Sequence, residues 1–133
     1  MRRRHLIGPV LAALLSAGAC SGTPSDDEVR ETLASWSATI RTAGNAWLQG
    51  DVPTRFVGDV LSAAGDALRG EEESLPGTEH TVLRSRCAEL RALIEPMRDA
   101  ISRRDDAALR EQLETLALFD ARLRSGNQAR TGP

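Results

Sequence analysis

The feature that most constrains this chain is the spacing of its apolar residues. Val29, Leu33, Trp36, Ile40, Ala43 and Trp47 follow one another in steps of 4, 3, 4, 3 and 4. That alternation keeps all of them on one stripe of an α-helix, the pattern of helices that pack into bundles and coiled coils. A half-buried strand would instead need every second residue to be apolar. Leu83, Cys87, Leu90, Ile94, Met97 and Ile101 repeat the same steps farther along. Between them, Val57, Val60, Leu61, Ala64 and Leu68 form a one-sided set, and Leu109, Leu113, Leu116, Phe119 and Leu123 form a fourth. The expectation is an all-α fold of four helices.

Local chemistry punctuates the seams. Asp26, Asp27 and Glu28 lie at the start of the first helix, where negative charge is favoured. Gly50-Asp51-Val52-Pro53 ends it, and Pro53 suits the opening turn of the next helix. The second helix stops between Gly70 and Pro76, and its three acids at 71–73 read as an acidic loop or a frayed end. A third helix over residues 79–103 contains Pro96, whose ring would clash with the carbonyl of Ala92. The apolar phase carries through the proline, so a bent helix is expected there, not two separate ones.

A continuous helix over residues 97–124 is a rival, since no Gly or Pro intervenes. Arg104 and Asp105 take the next seam places, however, and the phase shifts after them, so a turn is expected. Gly126 then reads as a C-cap, followed by a disordered tail over 126–133. Short connections make consecutive helices antiparallel, which gives an up-down-up-down four-helix bundle over residues 28–125. The first seam maps onto the third at a constant offset of 54, and Asp51 maps onto Asp105 at the same offset. A duplicated helical hairpin would produce this. Any two heptad helices can be aligned, so only the shared aspartate adds information.

The front of the chain follows other rules. Arg2, Arg3 and Arg4 precede an apolar stretch over residues 6–15 and then small residues, the organisation of a secretory signal peptide. The stretch is too short to span a bilayer, which takes about 20 apolar residues. Ser16-Ala17-Gly18-Ala19-Cys20 resembles the lipobox of bacterial lipoproteins, with Ala17 where that family usually has leucine. Ala17-Gly18-Ala19 also fits an ordinary signal-peptidase site, but a cysteine directly after the cut favours the lipoprotein. The resemblance covers the signal alone. It implies removal of residues 1–19, acylation of Cys20, and residues 20–27 as lipid anchor and tether. Ser21 to Asp27 are polar and turn-prone, and seven such residues reach at most about 25 Å. Ser21 is not the aspartate that holds many lipoproteins at the inner membrane. The resemblance therefore points to the periplasmic side of the outer membrane in a two-membrane bacterium, or to the outer face of a single membrane.

Composition then excludes classes of function. All 17 basic residues are arginine, and loss of residues 1–19 leaves fourteen against nineteen acids, a net charge near −5. A nucleic-acid binder would carry a basic face. After processing the chain retains one histidine (His80), one unlipidated cysteine (Cys87), no tyrosine and no lysine. It has no Glu-x-x-His pair for a di-iron bundle, no C-x-x-C-H for haem and no phosphate-binding glycine motif. No catalytic residue, metal or cofactor is expected. His80, beside Glu79 and near the acids at 71–73, reads as solvated charge more readily than as a cation site.

Cys87 lies on a seam and reads as a buried core thiol, with a redox role as the alternative. Trp36 and Trp47 share a helix face and read as large core pieces, or alternatively as the lining of a cavity for a small apolar ligand. Asp120 is expected at the surface, paired with Arg124 as Asp99 is with Arg103 and Asp106 with Arg110. Leu118, off its seam, and Leu75 and Val52, in loops, are expected to be exposed.

The best reading is a membrane-anchored extracytoplasmic lipoprotein with a non-enzymatic helical interaction domain and an envelope protein partner. A binder of a small apolar ligand comes second and an enzyme third. Lipidation is directly testable: cells fed a clickable fatty acid should label the wild-type chain and not Cys20→Ala. Equal labelling of both would refute it.

Overall fold

The computed structural model describes residues 22–129. The signal segment 1–19, Cys20 and the final residues 130–133 lie outside the described residues. Among those described, the helices are α1 (Asp26–Leu48), α2 (Thr54–Ser74), α3 (Thr81–Ala92), α4 (Ile94–Ser102) and α5 (Asp106–Gln128). Where one bent helix was expected over residues 79–103 there are two, α3 and α4, set end to end with only Leu93 between them; counted as one rod, they make the fold an all-α bundle of four rods.

α1 starts where it does because Ser25 caps it. The Ser25 hydroxyl accepts from the Glu28 N–H at 3.2 Å, and the Glu28 carboxylate accepts from the Ser25 N–H at 3.0 Å. This reciprocal box satisfies two of the amides that open a helix. It also draws Asp26 and Asp27 into the first turn, so they belong to the domain and not to the tether that residues 20–27 were expected to form.

The seams meet in a single core. Leu33, Leu61, Leu68, Leu90, Met97, Leu109, Leu116 and Phe119 are fully buried, with Trp36, Trp47 and Val60 partly buried against them. Burial of each large side chain contributes about 1.5–3 kcal/mol relative to exposure. Cross-helix contacts run in opposite order along neighbouring rods. Ser37 meets Asp120 while Gly44 faces Leu113, and Ser62 meets Arg98 while Glu72 meets Arg91. α1 with α5, and α2 with the α3–α4 rod, are therefore antiparallel. At Gly44 a Cβ would stand 3.0 Å from a Leu113 methyl, so the missing side chain lets α1 approach α5 closely.

The rod of α3 and α4 bends at Leu93, one turn before Pro96. The proline has no N–H to offer the Ala92 carbonyl. The Leu93 amide tightens to the Leu90 carbonyl at 3.2 Å, and regular bonding resumes with Met97 N–H to Leu93 at 3.2 Å. Leu93 keeps helical angles (φ −79°, ψ −18°), so Ile94, Met97 and Ile101 stay on the buried side.

The two hairpin corners are built alike. At the end of α1, Gly50 has φ 78°, its N–H bonds Trp47 at 3.0 Å, and the Asp51 N–H bonds Ala46 at 2.9 Å. At the end of α4, Arg104 has φ 55°, its N–H bonds Ile101 at 3.1 Å, and the Asp105 N–H bonds Ala100 at 2.9 Å. Both are Schellman caps with a left-handed residue after the helix. Every participating residue corresponds at the offset of 54. The turn at Arg104 thus separates α4 from α5, and the Asp105 carboxylate caps α5 through the Ala108 N–H at 2.9 Å.

The far end of the domain differs from expectation as well. Gly126 does not end α5, which runs on to Gln128. Gly126 faces open space and tolerates helical angles, so nothing stops the helix there.

The twin corners make a prediction. A left-handed backbone costs a side-chain-bearing residue about 1–2 kcal/mol, and glycine avoids that cost. Arg104→Gly should raise stability by about 0.5–1 kcal/mol in denaturant melts, and Gly50→Ala should lower it by about 1 kcal/mol. A destabilised Arg104→Gly would contradict this account of the corner.

Candidate interaction surface

Cys87 is fully buried and unpaired by any disulfide. Burial pushes its thiol up from 9.0 to about 11, with Glu71 and Glu72 adding to the shift and Arg91 opposing it. A thiol held so strongly in its protonated form is a poor nucleophile and a poor ligand. His80 stands between two carboxylates, with Nδ1 3.2 Å from Asp26 and Nε2 4.0 Å from Glu79. The Nδ1 contact is close but lacks hydrogen-bond geometry. It brings the first turn of α1 against the start of α3. Glu71 has a buried oxygen with no hydrogen-bond partner, and its pKa is raised by burial and then by Glu28. Among the described residues, no group of three or more His, Cys, Asp or Glu could hold a metal.

The two tryptophans are separated in role. The Trp47 indole packs at the α1–α2 corner and donates to the Thr54 hydroxyl at 3.1 Å. Trp36 borders a shallow depression with Glu28, Glu31, Thr32 and Ser35, all on α1.

Asp120 overturns its surface assignment. It is 7% exposed, accepts a short hydrogen bond from the Ser37 hydroxyl, and accepts another from Arg41 at 2.5 Å. α5 packs against both α1 and α4, so its buried arc is wider than one seam. Neighbouring positions 119 and 120 both fit inside it. Ser37 is itself fully buried on α1. With no histidine beside it, this group fixes the pairing of α1 with α5 and offers no activated nucleophile.

Leu75 was also expected outside and is 2% exposed. The chain after α2 folds back over the bundle end, and Arg84 holds the Leu75 carbonyl at 2.6 Å. Val52 is half-buried against the core. Leu118 is exposed as expected, at 62%, but the residues one turn away on either side of it are the charged Glu114 and Arg122. A lone exposed leucine is ordinary.

A different apolar surface takes its place. Ala38, Thr39, Thr42, Ala43 and Ala46 of α1 face Val52, Phe56 and Val60 across an open groove of about 460 Å³. Phe56 is 49% exposed at its edge. The Thr39 and Thr42 hydroxyls donate to the Ser35 and Ala38 carbonyls of their own helix, both at 2.9 Å. Both hydroxyl donors are thus satisfied within α1. From Thr32 to Gly50 the only charged residue is Arg41, and its guanidinium is engaged by Asp120. Phe56 belongs to none of the four seams read from the sequence. Its phase was the available signal: it lies one turn before Val60, at the edge of the seam centred on Val57, Leu61, Ala64 and Leu68.

A second groove, about 500 Å³, lies beside the bend between α2 and the α3–α4 rod, lined in part by Arg69, Arg91 and Arg98. Each arginine is already matched, to Asp66 at 3.6 Å, Glu72 at 2.9 Å and Glu95 at 3.2 Å. It therefore presents little free positive charge to an anion. No protein-family model matches the chain, and no curated protein or solved structure matches it.

The Cys87 environment is testable in a Cys20→Ser chain, which carries this thiol alone. Maleimide should label it slowly when native and rapidly in denaturant. Because folding raises the pKa, the stabilisation it brings is complete below pH 9.0 and is lost as pH climbs towards about 11. The stability advantage over Cys87→Ala should shrink across that window. Rapid native labelling would overturn the buried-thiol assignment.

Proposed function

We propose that this chain is a non-enzymatic interaction module, held at the outer side of a bacterial membrane by acylated Cys20, and that it docks a protein through the α1–α2 face around Phe56. The observation that carries the docking reading is that face: an exposed aromatic beside a hollow of small side chains, on a stretch of α1 whose only charge is engaged elsewhere. Aromatic residues flanked by apolar, desolvatable surface are the usual anchors of protein interfaces. The anchor rests on the lipobox resemblance, and the short tether would keep the bundle within reach of the bilayer. Among the described residues no helix is long and apolar enough to cross a membrane.

The same groove supports a second reading, binding of a small apolar molecule, because its lining is mostly hydrocarbon. A photoreactive phenylalanine analogue at position 56 of the full chain, activated in living cells, separates the two. Docking predicts protein adducts at position 56 and few or none from the same probe at Leu118. Adducts only with lipid or another small molecule would favour the second reading, and no adduct at all would remove both.

A further inference from the structure

We infer that the occupant of the Phe56 face is a second copy of this chain, in a two-fold symmetric dimer. The inference rests on the docking reading above and names its partner. The patch contains both halves of a contact. Phe56 is a protruding side chain, and Ala38, Thr42 and Ala46 form a hollow beside it. A two-fold axis through the patch seats each Phe56 in the other copy's hollow, the self-complementarity that an isologous interface requires.

Charge selects the same occupant. Two copies of the processed chain, each near −5 once residues 1–19 are removed, repel each other. This face is an exception. On α2 the charged residues adjoining Phe56 and Val60 are Arg55 and Asp59, four residues apart and 4.0 Å from each other, both with exposed side chains. With Asp51 beside Val52 in the corner, the border of the patch carries a single net negative charge, so it meets its own image with much less repulsion than the rest of the surface would. Each Arg55 also finds in the other copy's Asp59 a partner less exposed to water than its own. The threonine hydroxyls already donate to backbone carbonyls, so closing the interface leaves no hydroxyl donor without a partner.

The test uses the full chain co-expressed in two differently tagged forms, with the membranes solubilised in mild detergent. One tag should recover the other, and the photoreactive residue at position 56 should give an adduct that carries both tags at twice the chain's mass. Phe56→Glu, on an exposed position, should cut co-recovery about tenfold or more with helicity unchanged. Arg55→Glu should also weaken it, and the exchanged pair Arg55→Glu with Asp59→Arg should restore it. An adduct between this chain and a different protein, with no co-recovery of tags, would overturn the dimer and leave the interaction module standing. Absence of any protein adduct would overturn both.

Discussion

The contact on which the rest of the bundle depends joins its first and last helices. Ser37 and Arg41 of α1 converge on Asp120 of α5, and one turn farther along Gly44 lets the two backbones close on Leu113. An apolar seam can slide by a turn and still find apolar neighbours. A buried carboxylate cannot, because any other register would leave its charge without donors, at a cost of several kcal/mol. Arg41 remains partly in water, so the group contributes more to register than to stability. With α1 and α5 fixed, the α2 and α3–α4 rods bury their own seams against them and complete the core.

That arrangement also decides which apolar residues remain outside. α1 packs against α5, α2 and α3, and these contacts consume the side carrying Val29, Leu33, Ile40 and Ala43. The flank with Ala38, Thr42 and Ala46 is left uncovered beside Phe56. Conventional surface helices would place charge there. Nearby α5 does so, and its lone Leu118 lies between Glu114 and Arg122.

Much of the fold was legible because helical burial is written in local spacing. The seams, the bend near Pro96 and the turn at Arg104 all follow from residues a few positions apart. What was missed is non-local. Asp120 looked like half of a surface pair with Arg124 because its true partners lie 79 and 83 residues away. Leu75 looked like a loop residue because nothing nearby in sequence says that the loop folds over the bundle end. The acceptor that fixes it is its own carbonyl, held by Arg84. The open apolar face was legible only in outline: a stretch of α1 with Arg41 as its single charge is visible in the sequence, but its pairing with Phe56 depends on how α2 is rotated.

The paired corners carry a consequence for how the molecule breathes. The first corner closes on a glycine that rests easily in its left-handed conformation, while the second asks the same of an arginine. The nine-residue α4 lies between that corner and the interrupted bonding at Leu93, with no side-chain cap at its start. Cooperative units held by the fewest and most compromised backbone bonds open first. The segment from Leu93 to Asp105 should therefore exchange its amide hydrogens ahead of the α1–α2 hairpin. The half of the bundle bearing Phe56 would then keep its shape while the opposite corner fluctuates.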